Sequence, residues 1–359
     1  MKAVDGKNST AFFAKEGHDE PKKTDRAKEI HDQGASGRNA IPRAFKKNIK
    51  KGDVTMRRIS ELRRVILILV SACLMCTLTF AGRASATEGG GGAYPNGAED
   101  FMAGALPPPG TYFINYLQYY TATKFKDKDG NELIPGFKLD AVADVLRLVH
   151  VTKFKIFGAD YAVHAFLPIV YQDVEFPTQS DNRWGMGDII VDPIILGWHW
   201  KNFHVTTGLD IYIPVGTYDQ DRPASAGRNY WTFEPVLAFT YLSDGGFEIS
   251  SKFMYDFNTE NDDTNYRSGH EFHFDYTVGY HIKSLAIGVG GYYYQQMTDD
   301  ELNDVKVGTD GFKGRVFAIG PQVQYGYKNM SFTLKWQPEF EAENKPEGNK
   351  FWFKFMYAF

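Results

Sequence analysis

The 359-residue sequence has only two cysteines, Cys73 and Cys76, and both fall inside its one long apolar run. Downstream of that run there is no thiol, so neither a disulfide framework nor a cysteine metal site can hold the fold. No second run is long and apolar enough for a membrane helix, and no helical period of any length follows Gly110. Charge of one sign is also missing. Lys and Arg total 40 against 44 Asp and Glu, a formal net charge of −4. With no basic block past the N-terminal region, this balance argues against a nucleic-acid partner. Neither G-x-S-x-G nor H-E-x-x-H occurs, and no nucleotide-binding motif or energy-coupling segment is visible.

The apolar run spans 65–81. Met56-Arg57-Arg58 and Arg63-Arg64 precede it and Ala84-Ser85-Ala86 follows it. A basic start, an apolar centre and an A-x-A site read as a secretory signal peptide cleaved after Ala86. A transmembrane anchor is the alternative, but the run is near the lower length limit and carries Ser, Cys and Thr. Lipidation at Cys73 is a further alternative, with a very short apolar stretch before the cysteine. Residues 1–55 are polar and Lys-rich. Since a signal peptide belongs at a chain start, translation is expected to begin at Met56; otherwise 1–55 is a disordered extension. The expected organisation is therefore 1–55 extension, 56–86 signal peptide, 87–109 a flexible Gly- and Pro-rich lead-in, and 110–359 the folded part.

What the sequence has is aromatic residues, 15% of the chain, mostly Phe and Tyr. After Gly110 they fall in twelve alternating segments near 110–124, 137–155, 159–172, 187–200, 203–216, 230–243, 246–258, 269–282, 285–299, 313–328, 330–343 and 350–359. The connections alternate in length. Short ones sit at Phe157-Gly158, Lys201-Asn202, Asp244-Gly245, Lys283-Ser284 and Lys328-Asn329; polar ones cover 125–136, 173–186, 217–229, 259–268, 300–312 and 344–349. This predicts an all-β, up-and-down antiparallel barrel of about 12 strands in the outer membrane of a Gram-negative bacterium, with tight periplasmic turns and longer outer loops. Outer-membrane lipid would be its solvent.

Parity assigns the two faces. Phe247, Ile249, Phe253, Tyr255 and Phe257 share one side and Glu248, Ser250, Lys252, Met254 and Asp256 the other. Phe332, Leu334, Trp336 and Phe340 likewise oppose Thr333, Lys335, Gln337, Glu339 and Glu341. The apolar set is too bulky and aromatic to fill a small lumen and the other set too charged for a dry core, so the apolar side is expected to face lipid. Segments 137–155 and 187–200 alternate poorly and their facing stays open. The lumen-lining candidates are Asp188, Asp210, Glu234, Glu248, Lys252, Asp256, Glu271, His273, Asp275, Lys335, Glu339 and Lys354. They read either as a polar passage or as charges paired across the lumen to brace the wall. No catalytic, cofactor or metal site is expected. A lipid-hydrolysing site would need an inward nucleophile beside His164, His204, His273 or His281, and Ser250 sits on the strand next to His273. His270, Glu271 and His273 hint at a metal, but His270 and His273 point to opposite faces of one strand.

Several stretches resemble a known family: "GMGDIIVDPIILGWHW" (185–200), "LDIYIPVGTYD" (209–219), "NYWTFEPVLAFTYL" (229–242), "KFMYDFNTENDDTNYRSGHEFHFDY" (252–276) and "GVGGYYYQQMTDD" (288–300). They are similar to the outer-membrane family associated with meta-pathway phenol degradation. The family pattern falls on Gly185, Gly187, Asp188 and Pro193, on Pro214, Gly216 and Tyr218, and on Asn258, Glu260, Asn261, Tyr266, Ser268 and Gly269. The resemblance implies a barrel that passes small hydrophobic, often aromatic, solutes. A non-selective diffusion pore or structural barrel, and a lipid enzyme, are the alternatives. Gly288, Gly290 and Gly291 thin one strand, which would permit close approach, a bulge or a narrow lateral opening. Phe359 resembles the C-terminal signal read by the barrel assembly machinery of the outer membrane.

Overall fold

The computed structural model describes Glu88 and residues 91–359. The expected signal peptide and the 1–55 extension lie outside the described residues. From Gly110 onward the chain forms seventeen strands: β1 (Gly110–Phe125), β2 (Lys138–Ile156), β3 (Ala159–Phe176), β4 (Gln179–Met186), β5 (Ile189–His199), β6 (Phe203–Ile213), β7 (Thr232–Leu242), β8 (Phe247–Asn258), β9 (Glu260–Asn261), β10 (Tyr266–Arg267), β11 (Glu271–Ile282), β12 (Leu285–Gln296), β13 (Glu301–Leu302), β14 (Val305–Lys306), β15 (Arg315–Tyr327), β16 (Met330–Glu343) and β17 (Pro346–Ala358). Twelve of them (β1, β2, β3, β5, β6, β7, β8, β11, β12, β15, β16 and β17) pair antiparallel in that order, and β17 pairs with β1 to close a barrel. Closure is required in lipid, because each unpaired backbone group in hydrocarbon costs several kcal/mol.

The expected segment 187–200 is realised as β5, with β4 running ahead of it. β5 pairs with the lower part of β3 and β4 with the upper part, so the strand line breaks at Gly187-Asp188. The stretch 173–186, expected as a loop, is thus a hairpin arm. Its polar side chains mimic a loop because a strand pair standing clear of the bilayer has two wet faces. The 344–349 connection is likewise shorter than expected, since β17 already begins at Pro346. Two of the outer connections carry β9, β10, β13 and β14, which form a separate four-stranded sheet.

The two faces separate as charge demands. Phe233, Leu237, Phe247, Ile249, Phe257, Leu334, Trp336 and Phe351 are exposed on the outer wall, while Glu234, Glu248, Asp256, Lys335 and Trp352 on the same strands are buried. Outward apolar and inward polar side chains are the pattern of a barrel whose solvent is lipid. Glu341 departs from its expected inward position. It takes a left-handed backbone (φ 53°) and is exposed, and Ala342 turns inward in its place. The register between β15 and β16 shifts by one residue there, so parity cannot be carried across it. In the poorly alternating β2, Val145, Val149 and Val151 are buried and Leu148 and His150 exposed, which puts Arg147 on the inner side.

The ladder is continuous on both sides of β12, from Leu285 to Gln295. At Gly288, Gly290 and Gly291 there is neither bulge nor opening, and of the three expected alternatives close approach is the one realised. One of these glycines makes room for a partner: a Cβ on Gly290 would meet the Gln322 side chain, which bonds Thr277 across the wall (3.0 Å). The closing strand β17 pairs with β16 and β1, and the Phe359 N–H donates to the Thr111 carbonyl (3.1 Å), completing the seam.

Candidate functional site

The lumen is occupied by the chain's own lead-in. The expectation of a flexible connector is corrected here: Tyr94, Asn96, Ala98, Asp100 and Phe101 are buried among the inward side chains of the wall. Asp275 on β11 is the main anchor. Its carboxylate accepts bonds from the Tyr94 hydroxyl (2.7 Å), the Gly97 N–H (2.8 Å) and the Glu99 N–H (2.9 Å). From β16, three strands further round the wall, the Lys335 ammonium donates to the carbonyls of Gly97 (2.7 Å), Ala98 (2.7 Å) and Glu99 (3.2 Å). Lys350 donates to the Asn96 carbonyl and Lys354 to Asp100 (2.6 Å). Lower down, the Met102 N–H donates to Glu248 and the Gly104 N–H to Thr240, while Thr206 donates to the Gly104 carbonyl. A Cβ at Gly104 would overlap the Phe239 backbone, so glycine lets the two backbones touch. Side chains that alternation marked as lumen lining therefore satisfy a segment whose Gly- and Pro-rich composition gave no hint of order.

Around this segment the wall carries a chain of charges. Arg147 pairs with Glu99 (3.0 Å) and donates to His164 Nδ1 (2.9 Å); His164 Nε2 lies 2.6 Å from Asp210. Lys252 lies between Asp210 (3.6 Å) and Glu234 (3.7 Å), and stands 4.7 Å over the Tyr94 ring. His273 follows, 3.8 Å from Glu234 and 3.2 Å from Asp256, with its ring stacked on Tyr94 at 5.0 Å. Glu339 accepts from Tyr120 (2.8 Å) and Tyr292 and bonds the Gly348 N–H (2.8 Å). All twelve predicted lumen residues are buried on the inner side. Asp188 differs from the rest in what it does: it accepts the Gly216 N–H (2.9 Å) and the Arg228 N–H (2.7 Å), and so fixes an outer loop. Arg147, Asp192, Glu99, Asp100 and Tyr94 belong to the same network and were missed, the first because β2 alternates poorly and the last three because they precede the barrel.

The motif positions other than Pro193 converge at the outer mouth. Tyr218 donates to Glu88 (3.1 Å); Asn261 donates to both Glu88 (2.6 Å) and Tyr218 (2.9 Å); the Glu88 N–H donates to Ser268 (3.1 Å). Burial, and then the Glu88 charge beside it, push the Tyr218 hydroxyl up to about 12. Asn258 bonds the Gly269 carbonyl (2.9 Å), and Asp300 receives both the Tyr266 hydroxyl (2.6 Å) and the Gly269 N–H (2.7 Å). Glu260 lies 3.5 Å from Arg267. Gly185 packs on Ala226 and Thr217, Gly187 donates to the Pro168 carbonyl, and the Pro193 carbonyl accepts from Tyr161. Pro214 lines an outer groove of about 540 Å³ together with Tyr230, Trp231 and Thr259. The three sequence elements, far apart in the chain, thus tie the outer loops to one another and to the head of the lumen segment.

No nucleophile is placed for hydrolysis by the residues named for it. Ser250 is bonded to Thr240 (2.6 Å) and to Glu248, and His281 reaches the other oxygen of Glu248. The carboxylate stands between hydroxyl and imidazole, so His281 has no direct route to the serine proton. His273 faces carboxylates.

A closed twelve-stranded wall, apolar outside and polar inside, defines an outer-membrane β-barrel. The sequence from 122 to 355 matches the model of the family described as "Putative MetA-pathway of phenol degradation", and the chain belongs to that family. Among solved structures it is similar to the COG4313 outer membrane channel from Pseudomonas putida F1, with a TM-score of 0.67, 14% identity, and coverage of 73% of this chain and 99% of that one. A weaker likeness is to the CymD monoaromatic hydrocarbon channel, with a TM-score of 0.38, 9% identity, and coverage of 70% of this chain and 89% of that one. No curated protein sequence matches.

Proposed function

We propose that the protein is an outer-membrane channel that passes small hydrophobic or aromatic, phenol-like compounds passively into the periplasm. Family membership and the likeness to an outer membrane channel support this reading. The observation that carries it against a non-selective pore is the lumen itself. A segment held by at least three bonds to Asp275 and three to Lys335 stands where an open pore would hold water. Solutes that cross must interact with that segment or with the wall, which makes the route selective and saturable. The sequence offers no nucleotide motif for active transport, and the inward charges act as braces for wall and segment. Outer-membrane lipid is the partner of the exposed aromatic face, and the barrel assembly machinery that of the C-terminal strand.

The test is uptake of labelled phenol by cells with and without the gene. Gene-dependent uptake that saturates with concentration is expected. Non-saturating conductance to unrelated small ions in planar bilayers would assign the diffusion pore instead. Lipid turnover by purified protein, abolished by His273→Ala, would assign an enzyme.

A further inference from the structure

We propose that Glu234, Asp256 and His273 bind one divalent first-row transition cation of the zinc class inside the barrel wall. This goes beyond the transport reading and does not depend on the solute. The three residues come from three neighbouring strands. Asp256 on β8 pairs directly with Glu271 on β11, and the Phe233–Phe257 register sets Glu234 of β7 opposite Asp256. His273 lies two residues along β11 on the same inner face. The three ligand atoms lie within 4.8 Å of one another. His273 Nε2 is 3.2 Å from Asp256 Oδ2 and 3.8 Å from Glu234 Oε2. A tetrahedral zinc ion with bonds of about 2.0 Å sets its ligand atoms roughly 3.3 Å apart, so these spacings need little adjustment.

The second observation is the state of the side chains. Glu234, Asp256 and His273 have no exposed surface. Both ring nitrogens of His273, both oxygens of Asp256, Glu234 Oε1 and Glu271 Oε1 face no hydrogen-bond donor; Asp256 meets the carboxyl groups of Glu234 and Glu271, a contact that requires either a shared proton or a cation between them. His273 and Asp256 approach each other without the geometry of a hydrogen bond. Native proteins rarely bury such groups unpaired. Lys252 forms its ion pairs with Asp210 and Glu234 and makes none with Asp256. Tyr212 donates to Glu234 Oε2 (2.9 Å), the kind of outer contact that orients a ligating carboxylate. The other buried cluster, His164, Asp192 and Asp210, serves as a contrast. There both ring nitrogens are engaged, by Arg147 and Asp210, Asp192 accepts the Ile194 N–H (2.8 Å), and none of the three side chains has a buried atom without a partner. One imidazole with two or three carboxylates suits zinc or manganese better than soft or purely oxygen-seeking ions. Because His273 stacks on Tyr94, a bound ion would fix the wall beside the lumen segment near the outer ends of β7, β8 and β11. The expectation of no metal rested on one strand, where His270 and His273 diverge; the remaining ligands come from across the sheet.

The experiment uses the full protein folded in detergent, stripped with EDTA, reloaded with Zn²⁺ alone and desalted, with metal measured by mass spectrometry. The wild type is expected to retain about one equivalent and to unfold at a higher temperature with zinc than without. Asp256→Asn and His273→Gln keep side-chain size and should bind zinc at least about tenfold more weakly, with heat-modifiable gel migration confirming a folded barrel. His270→Gln, on the outer face, should retain the metal. Failure of the wild type to hold zinc or to gain thermal stability would overturn the proposal without recourse to any variant. Equal retention by folded Asp256→Asn or His273→Gln, or loss on His270→Gln, would mean an adventitious surface ion and overturn it as well.

Discussion

Asp275→Ala tests whether the lumen segment is held by the wall in the way the contacts describe. The carboxylate receives three bonds, all from that segment: the Tyr94 hydroxyl and the backbone N–H groups of Gly97 and Glu99. A hydrogen bond to a charged acceptor contributes about 1.5–3 kcal/mol in mutational series, so three make roughly 4–9 kcal/mol. Removing the carboxylate also relieves its own burial, which places the net effect at the low end, about 4 kcal/mol. At about 1.4 kcal/mol per tenfold change, that amounts to roughly a thousandfold. The assay is amide hydrogen exchange on the folded barrel, which reads local opening separately from global unfolding. Amides of residues 93–101 should lose protection by roughly that factor, while amides in the β15–β16 and β16–β17 ladders stay protected. The expected companion is a rise in single-channel conductance. Unchanged protection of the segment, or an equal loss throughout the barrel, would refute the argument: the first because Asp275 would carry no docking energy, the second because segment and wall would open as one unit.

Two other outcomes follow from named contacts. Tyr218 is neutral with a pKa raised from 10.0 to about 12, so its stabilising contribution is complete below pH 10 and lost as pH rises through 12. The tyrosinate absorbance missing from Tyr218→Phe should therefore belong to a group titrating near 12; a missing component near 10 would refute the buried knot with Glu88. Deleting Phe359 removes the Thr111 contact at the seam and the exposed terminal ring, and should lower the amount of heat-modifiable barrel in the outer membrane; normal levels would deny it a role in assembly.

The sequence by itself determined the wall. Alternation of period two is a local property, so Phe247 and Glu248 declare their faces without reference to any other strand, and loop polarity orients the strands. The same parity in the closing strand puts Phe351, Phe353 and Phe355 in lipid and Trp352 and Lys354 inside. Parity fails where the period itself breaks, as at the left-handed Glu341, where a strand stands clear of the membrane, as in β4, and where both faces carry apolar residues, as in β2. The tertiary structure alone decided what fills the lumen. Tyr94 meets Asp275 across 181 positions of chain, and Lys335 meets Gly97 across 238. No local pattern encodes such a pairing, because curvature and closure of the sheet choose which inward charges face one another. Pairing of neighbouring strands gathers Glu234, Asp256 and His273, and packing of the outer loops brings Tyr218, Asn261 and Ser268 around Glu88. Where the alternation is regular, a residue's side of the wall was legible; its partner across the barrel depended on the shape of the closed sheet.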